Sequence, residues 1–394
     1  MLLISQTMLK EKHEKQIIPN LNALRFISAL FVFLIHYFNY INYKQVYDHP
    51  IGLFIYQNII QKGSLGVNFF FVLSGFLITH LLINEQESTG KISLKSFYYK
   101  RILRIWPIYF LILFIAFSIY PIISNNFSLQ VFATHAPWYF AFVGNLDRAY
   151  TNFSGMGCDL AGIMWSICVE EQFYLFWPLM FILFPLKRLS ILLIIFIAIS
   201  LVFRFTYLSN EHLLYFHSLS VMNDILVGCL GATLLKLFPS IKKYIIDTSN
   251  LTIILLYLSF IIYVGFQKEI CNAYYSINIL NRMIISIFFI LIIFHQSFSL
   301  KGFKAGTIPY LEKLGTISYG FYAYHLISIM VLQKLLIVFK IDYSYLWAYF
   351  YPGMLFCIGL TLILSILSFR YFESPFLKLK DQHHKKISLE TPLQ

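Results

Sequence analysis

From Leu21 to Ile41 the chain runs for twenty-one residues with Arg25 and His36 as its only cationic or imidazole side chains. Apolar runs of similar length recur, approximately at 21–41, 64–84, 105–123, 165–185, 189–206, 219–237, 251–266, 283–299, 315–338 and 346–369. About 20 apolar residues carry an α-helix across a hydrocarbon layer of roughly 30 Å. Inside that layer the backbone must satisfy its own hydrogen bonds, which helices do within one segment. The pattern predicts an all-α, polytopic membrane helix bundle of about ten transmembrane helices. The run 251–266 is short and is the weakest of the set. The aromatic stretch 131–146 reads as a re-entrant or interfacial helix and is counted as lying outside the membrane.

Composition agrees. Hydrophobic residues make up 59% of the 394 positions and charged ones 12%, about half the charge of an ordinary soluble domain; the mean hydropathy is +0.71. The net charge of +12 does not indicate nucleic acid, because the basic residues are dispersed between apolar runs instead of forming one patch. They act instead as orientation signals. With the N-terminus inside, 21 of the 30 Lys and Arg fall on the inner side, 8 fall outside or near outer ends, and Arg25 lies within the first span. Both termini are therefore expected in the cytoplasm, with the loop 85–104 inside and 124–161 outside. The first nineteen residues include Lys10, Lys12 and Lys15 but no long apolar core, so no cleavable leader is expected. No internal repeat of the kind common in transporters is visible. The five cysteines contain no CxxC pair, which leaves zinc and redox motifs unsupported. Cys168, Cys229 and Cys357 lie in apolar runs as packing residues. Cys158 and Cys271 both fall on the expected outer side, where a disulfide or two free thiols are equally compatible with the sequence.

Polar groups within apolar spans cost free energy and call for a reason. Arg25 and His36 are eleven residues apart, three helical turns plus about 20°, so they share one face about 16 Å apart along the axis. Arg25 snorkelling to the interface and His36 satisfied between helices are the plain alternatives to function. Ser74-Gly75 in the second run permits close backbone approach to a neighbouring helix or a ligand. Arg101 and Arg104 are neighbours on one helical face. They are either positive anchors or a phosphate-binding fork. Glu170 and Glu171 enter the fourth run together but point about 100° apart, so they need not share a role. Asp224 and His325 are further polar points within apolar runs, either structural or functional.

These residues fall into ordered motifs: Arg25 and, after ten residues, His36; Phe70-Phe71-Val72-Leu73-Ser74-Gly75-Phe76; Arg101-x-x-Arg104-x-x-Pro107; Trp165-Ser166-x-x-Val169-Glu170-x-Gln172-Phe173-Tyr174; Ser318-Tyr319 with His325; and Glu373-x-Pro375. In this order the set resembles the membrane acyltransferases called acyltransferase family 3, over roughly residues 20 to 380. The resemblance implies a cytoplasmic segment 1–20, a membrane acyltransferase domain 21–370 and a basic cytoplasmic tail 371–394. It implies a multi-pass protein of the cell (inner) membrane that moves an acyl group, usually acetyl, from cytoplasmic acyl-CoA to a hydroxyl of a glycan or lipid-linked saccharide. Acetyl-CoA is then the donor, with no bound cofactor or metal, and membrane lipids are the other expected partners. His36, Glu170 and Glu171 become the expected catalytic residues, and Arg25, Ser74, Arg101, Arg104, Trp165, Tyr174 and His325 the expected substrate contacts. Some members carry an appended extracytoplasmic transferase domain. The sequence is expected to lack one, leaving the acceptor to the membrane domain or to a separate protein. A transporter or flippase of a sugar or lipid-linked substrate is the alternative reading.

Overall fold

A computed structural model of the chain describes residues 18–41, 53, 56–151, 158–341 and 346–379. Most of the expected terminal segments, residues 1–17 and 380–394, lie outside the described residues. Among the described residues the chain is helical without strands.

Apart from the single turn Tyr120–Ile123 and short 3-10 and π segments, the helices in chain order are α1 (Leu21–Ile41), α2 (Leu65–Thr89), α3 (Leu94–Phe114), α4 (Leu129–Phe140), α5 (Gly144–Tyr150), α6 (Cys158–Gly162), α7 (Trp165–Leu183), α8 (Leu186–Thr206), α9 (Glu211–Phe216) and α10 (Ser218–Leu237), followed by α11 (Pro239–Ile246), α12 (Asn250–Gly265), α13 (Gln267–Ala273), α14 (Tyr275–Phe298), α15 (Leu311–Thr316), α16 (Ser318–Val338) and α17 (Leu346–Leu367). Among the described residues nine helices are long and apolar enough to cross a membrane. The expected short span is α12, whose 16 residues rise only about 24 Å. It meets α11 at a bend of 96°, and that pair makes the tenth candidate span.

Helix ends follow local chemistry. The side chains of Ser93, Ser128, Asn210 and Ser249 accept from backbone N–H groups of the first turns of α3, α4, α9 and α12, supplying donors that would otherwise lack partners. Gly90 ends α2 in the left-handed region at φ 72°, where glycine pays no Cβ penalty. Only three residues then separate it from α3. The basic stretch expected as a loop up to residue 104 is therefore mostly helix: α3 begins at Leu94 and carries Lys95, Lys100, Arg101 and Arg104 on its first turns.

The centre of the bundle is α2 against α10. At Gly75 an added Cβ would overlap the carbonyl oxygen of Ile225, and at Gly228 that of Val72. The two glycines thus let the backbones touch, the close approach that Ser74-Gly75 predicts. Around this contact α2 and α10 are mostly buried, whereas α8 and α17 leave most of their surface outward. Ile191, Ile194, Ile195 and Val202 of α8 face outward, as a lipid-facing helix requires.

Two polar clusters brace the bundle. Arg282 Nε donates to Asp224 Oδ2 at 2.9 Å, and Ser286 donates to Asp224 Oδ1 at 2.6 Å. Arg204 Nη1 donates to Ser220 at 2.7 Å. Arg204 and Arg282 are both buried. The sequence pattern places them outside or near the outer ends of spans; in the structure they are buried and paired within the bundle. The second cluster centres on Gln172, whose amide donates to the carbonyl of Phe142 at 2.8 Å and to Asn145 Oδ1 at 2.7 Å, and accepts from Ser218 at 2.6 Å. It ties α7 to the turn between α4 and α5, so the aromatic stretch 131–146 is folded onto the bundle, with Tyr139 buried and its carbonyl bonded by Tyr109 Oη at 2.6 Å.

Cys168, Cys229 and Cys357 are buried free thiols, and Cys271 is also free. The side chain of Cys158 lies outside the described residues.

Candidate active site

A cavity of about 190 Å³ opens among α1, α2, α3, α7 and α16. Its polar lining comes from Arg25, Ser74, Arg101, Arg104, Glu170 and Tyr174, joined by Ser166, Ser318, Tyr319 and Tyr322. Six side chains expected at the site from sequence therefore converge from four helices. Helical spacing accounts for each set: Arg101 and Arg104 are three apart on α3, and Glu170 and Tyr174 are four apart on α7, so each pair shares a face.

The three guanidiniums have no carboxylate within ion-pair distance among the described residues. Arg101 instead lies over the rings of Tyr174 and Phe97, 5.4 and 5.6 Å from their centroids. Ring faces attract a cation without neutralising it. Arg25 Nη1 donates to Asn22 Oδ1 at 2.9 Å, which fixes its direction within α1. The one carboxylate lining the cavity, Glu170, accepts from Tyr174 Oη at 3.1 Å, and Tyr174 Oη is bonded in turn to Ser74 Oγ. The result is a pocket with three unneutralised planar donors near one tethered acid, suited to a polyanion. Arg104 is exposed and Arg25 and Arg101 are half-buried, so the charge leads inward from a mouth.

His36 and His325 do not line this cavity. They form a pair farther along α1 and α16, with His36 Nδ1 2.8 Å from His325 Nε2. His325 Nδ1 is bonded to the carbonyl of Tyr322. Tyr322 joins the two regions. It lines the cavity, its ring centroid is 5.7 Å from that of His325, and its hydroxyl donates to the carbonyl of Ile163 while accepting from Ser166, both at 2.8 Å.

Glu171 and Trp165, both expected at the site, are not brought there. Glu171 turns away from the cavity, and its Oε2 accepts from Trp106 Nε1 at 2.8 Å; the 100° offset from Glu170 is the reason. Trp165 is buried between Phe71, Tyr215 and Phe216, with ring centroids 5.3–5.8 Å away, and packs instead of lining. His325 meets His36, not the cavity. Ser166, Ser318, Tyr319 and Tyr322 line the cavity beyond the site residues expected from the sequence, although they fall within or beside its motifs. Ser318 and Tyr322 are one turn apart, and that spacing was the available signal. Among the described residues no group of three or more His, Cys, Asp or Glu is arranged to hold a metal ion.

A family profile described as an acyltransferase domain matches residues 18–370. The chain belongs to this acyltransferase family. It is 26% identical to the peptidoglycan O-acetyltransferase OatA of Listeria monocytogenes (serovar 1/2a, strain EGD-e) over 93% of this chain and 57% of the relative. It is 27% identical to the O-acetyltransferase OatA of Staphylococcus aureus (strain NCTC 8325) over 83% and 55%. A provisionally named O-acetyltransferase of Staphylococcus aureus (strain COL) is 28% identical over 92% and 57%. The chain thus spans about half the length of the curated relatives it matches. No solved structure matches it significantly. Family and fold together make it a multi-pass membrane protein of the acyltransferase class.

Proposed function

We propose that this chain transfers an acyl group, acetyl in the first instance, from cytoplasmic acyl-CoA across the inner membrane to a hydroxyl of an envelope glycan. The observation that carries the reading is the pairing of two regions: three guanidiniums without carboxylate partners at one end of a cavity, and an imidazole pair beyond it, connected through Tyr322. Phosphates of the donor suit the arginine mouth, because planar guanidiniums bind them bidentately. Arg25 and His36 are about 16 Å apart by helix rise, a span that the donor's extended thiol arm can cover.

A sugar hydroxyl is a weak nucleophile and needs a base. His36 takes that role. It removes the hydroxyl hydrogen as the oxygen attacks the thioester carbonyl, and returns it to the departing thiolate. An acyl-imidazole route through the same ring is the other form of the reaction. Glu170, held by Tyr174, orients the donor arm beside Arg25. Glycan is chosen as the acceptor class because one relative is named for peptidoglycan.

The test uses purified protein in liposomes with radiolabelled acetyl-CoA and envelope glycans, peptidoglycan fragments first. Label in the glycan, released by mild base as expected for an ester, is the predicted outcome. Glycan that passes the membrane unlabelled would instead support a transporter and defeat the proposal.

A further inference from the structure

The contacts of the imidazole pair determine which nitrogen of each ring carries hydrogen. A backbone carbonyl only accepts, so the bond between His325 Nδ1 and the Tyr322 carbonyl places a hydrogen on Nδ1. A neutral imidazole has a single N–H, so His325 Nε2 presents a lone pair. That lone pair faces His36 Nδ1 at 2.8 Å, and His36 Nδ1 is therefore the donor. Ring geometry agrees with an in-plane N–H···N bond. The planes are 24° apart and the centroids 5.0 Å apart, which exceeds the N–N distance by roughly one ring diameter. With its hydrogen committed to Nδ1, His36 keeps an in-plane lone pair on Nε2.

We propose that His325 is a positioning residue: it holds His36 as the Nδ1–H tautomer and so makes His36 Nε2 the atom that receives the acceptor's hydrogen. This rests on the proposed role of His36. The direct step then balances around one nitrogen. The acceptor O–H bond breaks and its hydrogen joins Nε2; the oxygen bonds to the thioester carbon; the C–S bond breaks; and the thiolate takes the hydrogen from Nε2, leaving ester, thiol and the starting tautomer. Midway, His36 carries two N–H groups and a positive charge. The bond from Nδ1 to His325 then becomes charge-assisted and strengthens, so the pair favours the transition state over the ground state. His325 is 1% exposed, which leaves the orienting bond free of competition from bulk water. The orienting carbonyl lies three residues back on the same helix, so the relay is rigid: α16 holds both the second imidazole and its reference point.

The experiment is solid-state 15N spectroscopy of histidine-labelled protein in bilayers, with the His36 signals identified by their loss in His36→Ala. Wild type is expected to show His36 hydrogen on Nδ1 and a bare Nε2. In His325→Phe, which keeps a ring but removes the acceptor, the hydrogen should shift toward Nε2 and kcat should fall at least tenfold with the donor KM unchanged. His325→Gln, which restores a polar group near the Nε2 position, should recover part of the rate. A wild-type His36 bearing hydrogen on Nε2 would overturn the proposal, whether or not the variants fold. So would a His36 tautomer unmoved by His325→Phe. Activity retained by His36→Ala would remove the catalytic reading on separate grounds, since the tautomer is read from spectra and not from turnover.

Discussion

Glu170 and Glu171 are adjacent in sequence and opposite in circumstance. Glu170 faces the cavity and is tethered by Tyr174; Glu171 accepts from Trp106. Glu170→Gln should therefore lower acyl transfer tenfold or more with little change in melting. Glu171→Ala should act chiefly on stability, by about 1–3 kcal/mol, because it leaves the half-buried Trp106 N–H without its carboxylate partner. Transfer assays alongside melting in detergent separate the two, and equal losses of activity at equal stability would contradict this division. For the arginines, Ala at both Arg101 and Arg104 is expected to weaken acyl-CoA binding at least tenfold while insertion is kept. Lys91, Lys95 and Lys100 retain the positive signal. Unchanged affinity would reduce the pair to anchors.

Among the elements, α10 is the pivot. It touches α2 backbone to backbone at Gly75 and Gly228 and holds α14 through Asp224 and Arg282. Removing one partner of a buried ion pair strands the other, so Asp224→Ala should cost about 3–5 kcal/mol, read as a fall in detergent melting. Gly228→Ala should also destabilise, because the obstructing atom is a backbone carbonyl that cannot rotate aside. The helices themselves were legible in the sequence, since the length of an apolar run reports a crossing directly. The start of α3 was not: Lys95 and Lys100 read as loop charge, but a helix can project beyond the apolar layer with charged turns. The short run at 251–266 read as a weak span because the bend to α11 is a tertiary feature. At the site, the residue types were legible from spacing within single helices. Which side chains meet was not, because His36 and His325 are 289 residues apart. Glu171, Trp165 and His325 were expected at the substrate for the same reason: a motif fixes identity and order, not the direction a side chain faces.

Over the whole molecule, the cavity and the imidazole pair lie at different positions along the same two helices, α1 and α16, with Arg101 and Arg104 of α3 at the cavity's mouth. The charge distribution predicts that the mouth opens to the cytoplasm. A cysteine placed at position 95 should react with impermeant reagent only in opened cells; labelling in intact cells would invert the orientation and move the donor to the other side. The central claim is that acyl transfer passes through His36, and the most direct measurement is acetyl transfer by His36→Ala in liposomes, matched to wild type for expression and melting. The account predicts a loss of about 10²-fold or more, the scale of a general base, with acyl-CoA still bound at the arginine mouth. Transfer near the wild-type rate by the well-folded variant would contradict it.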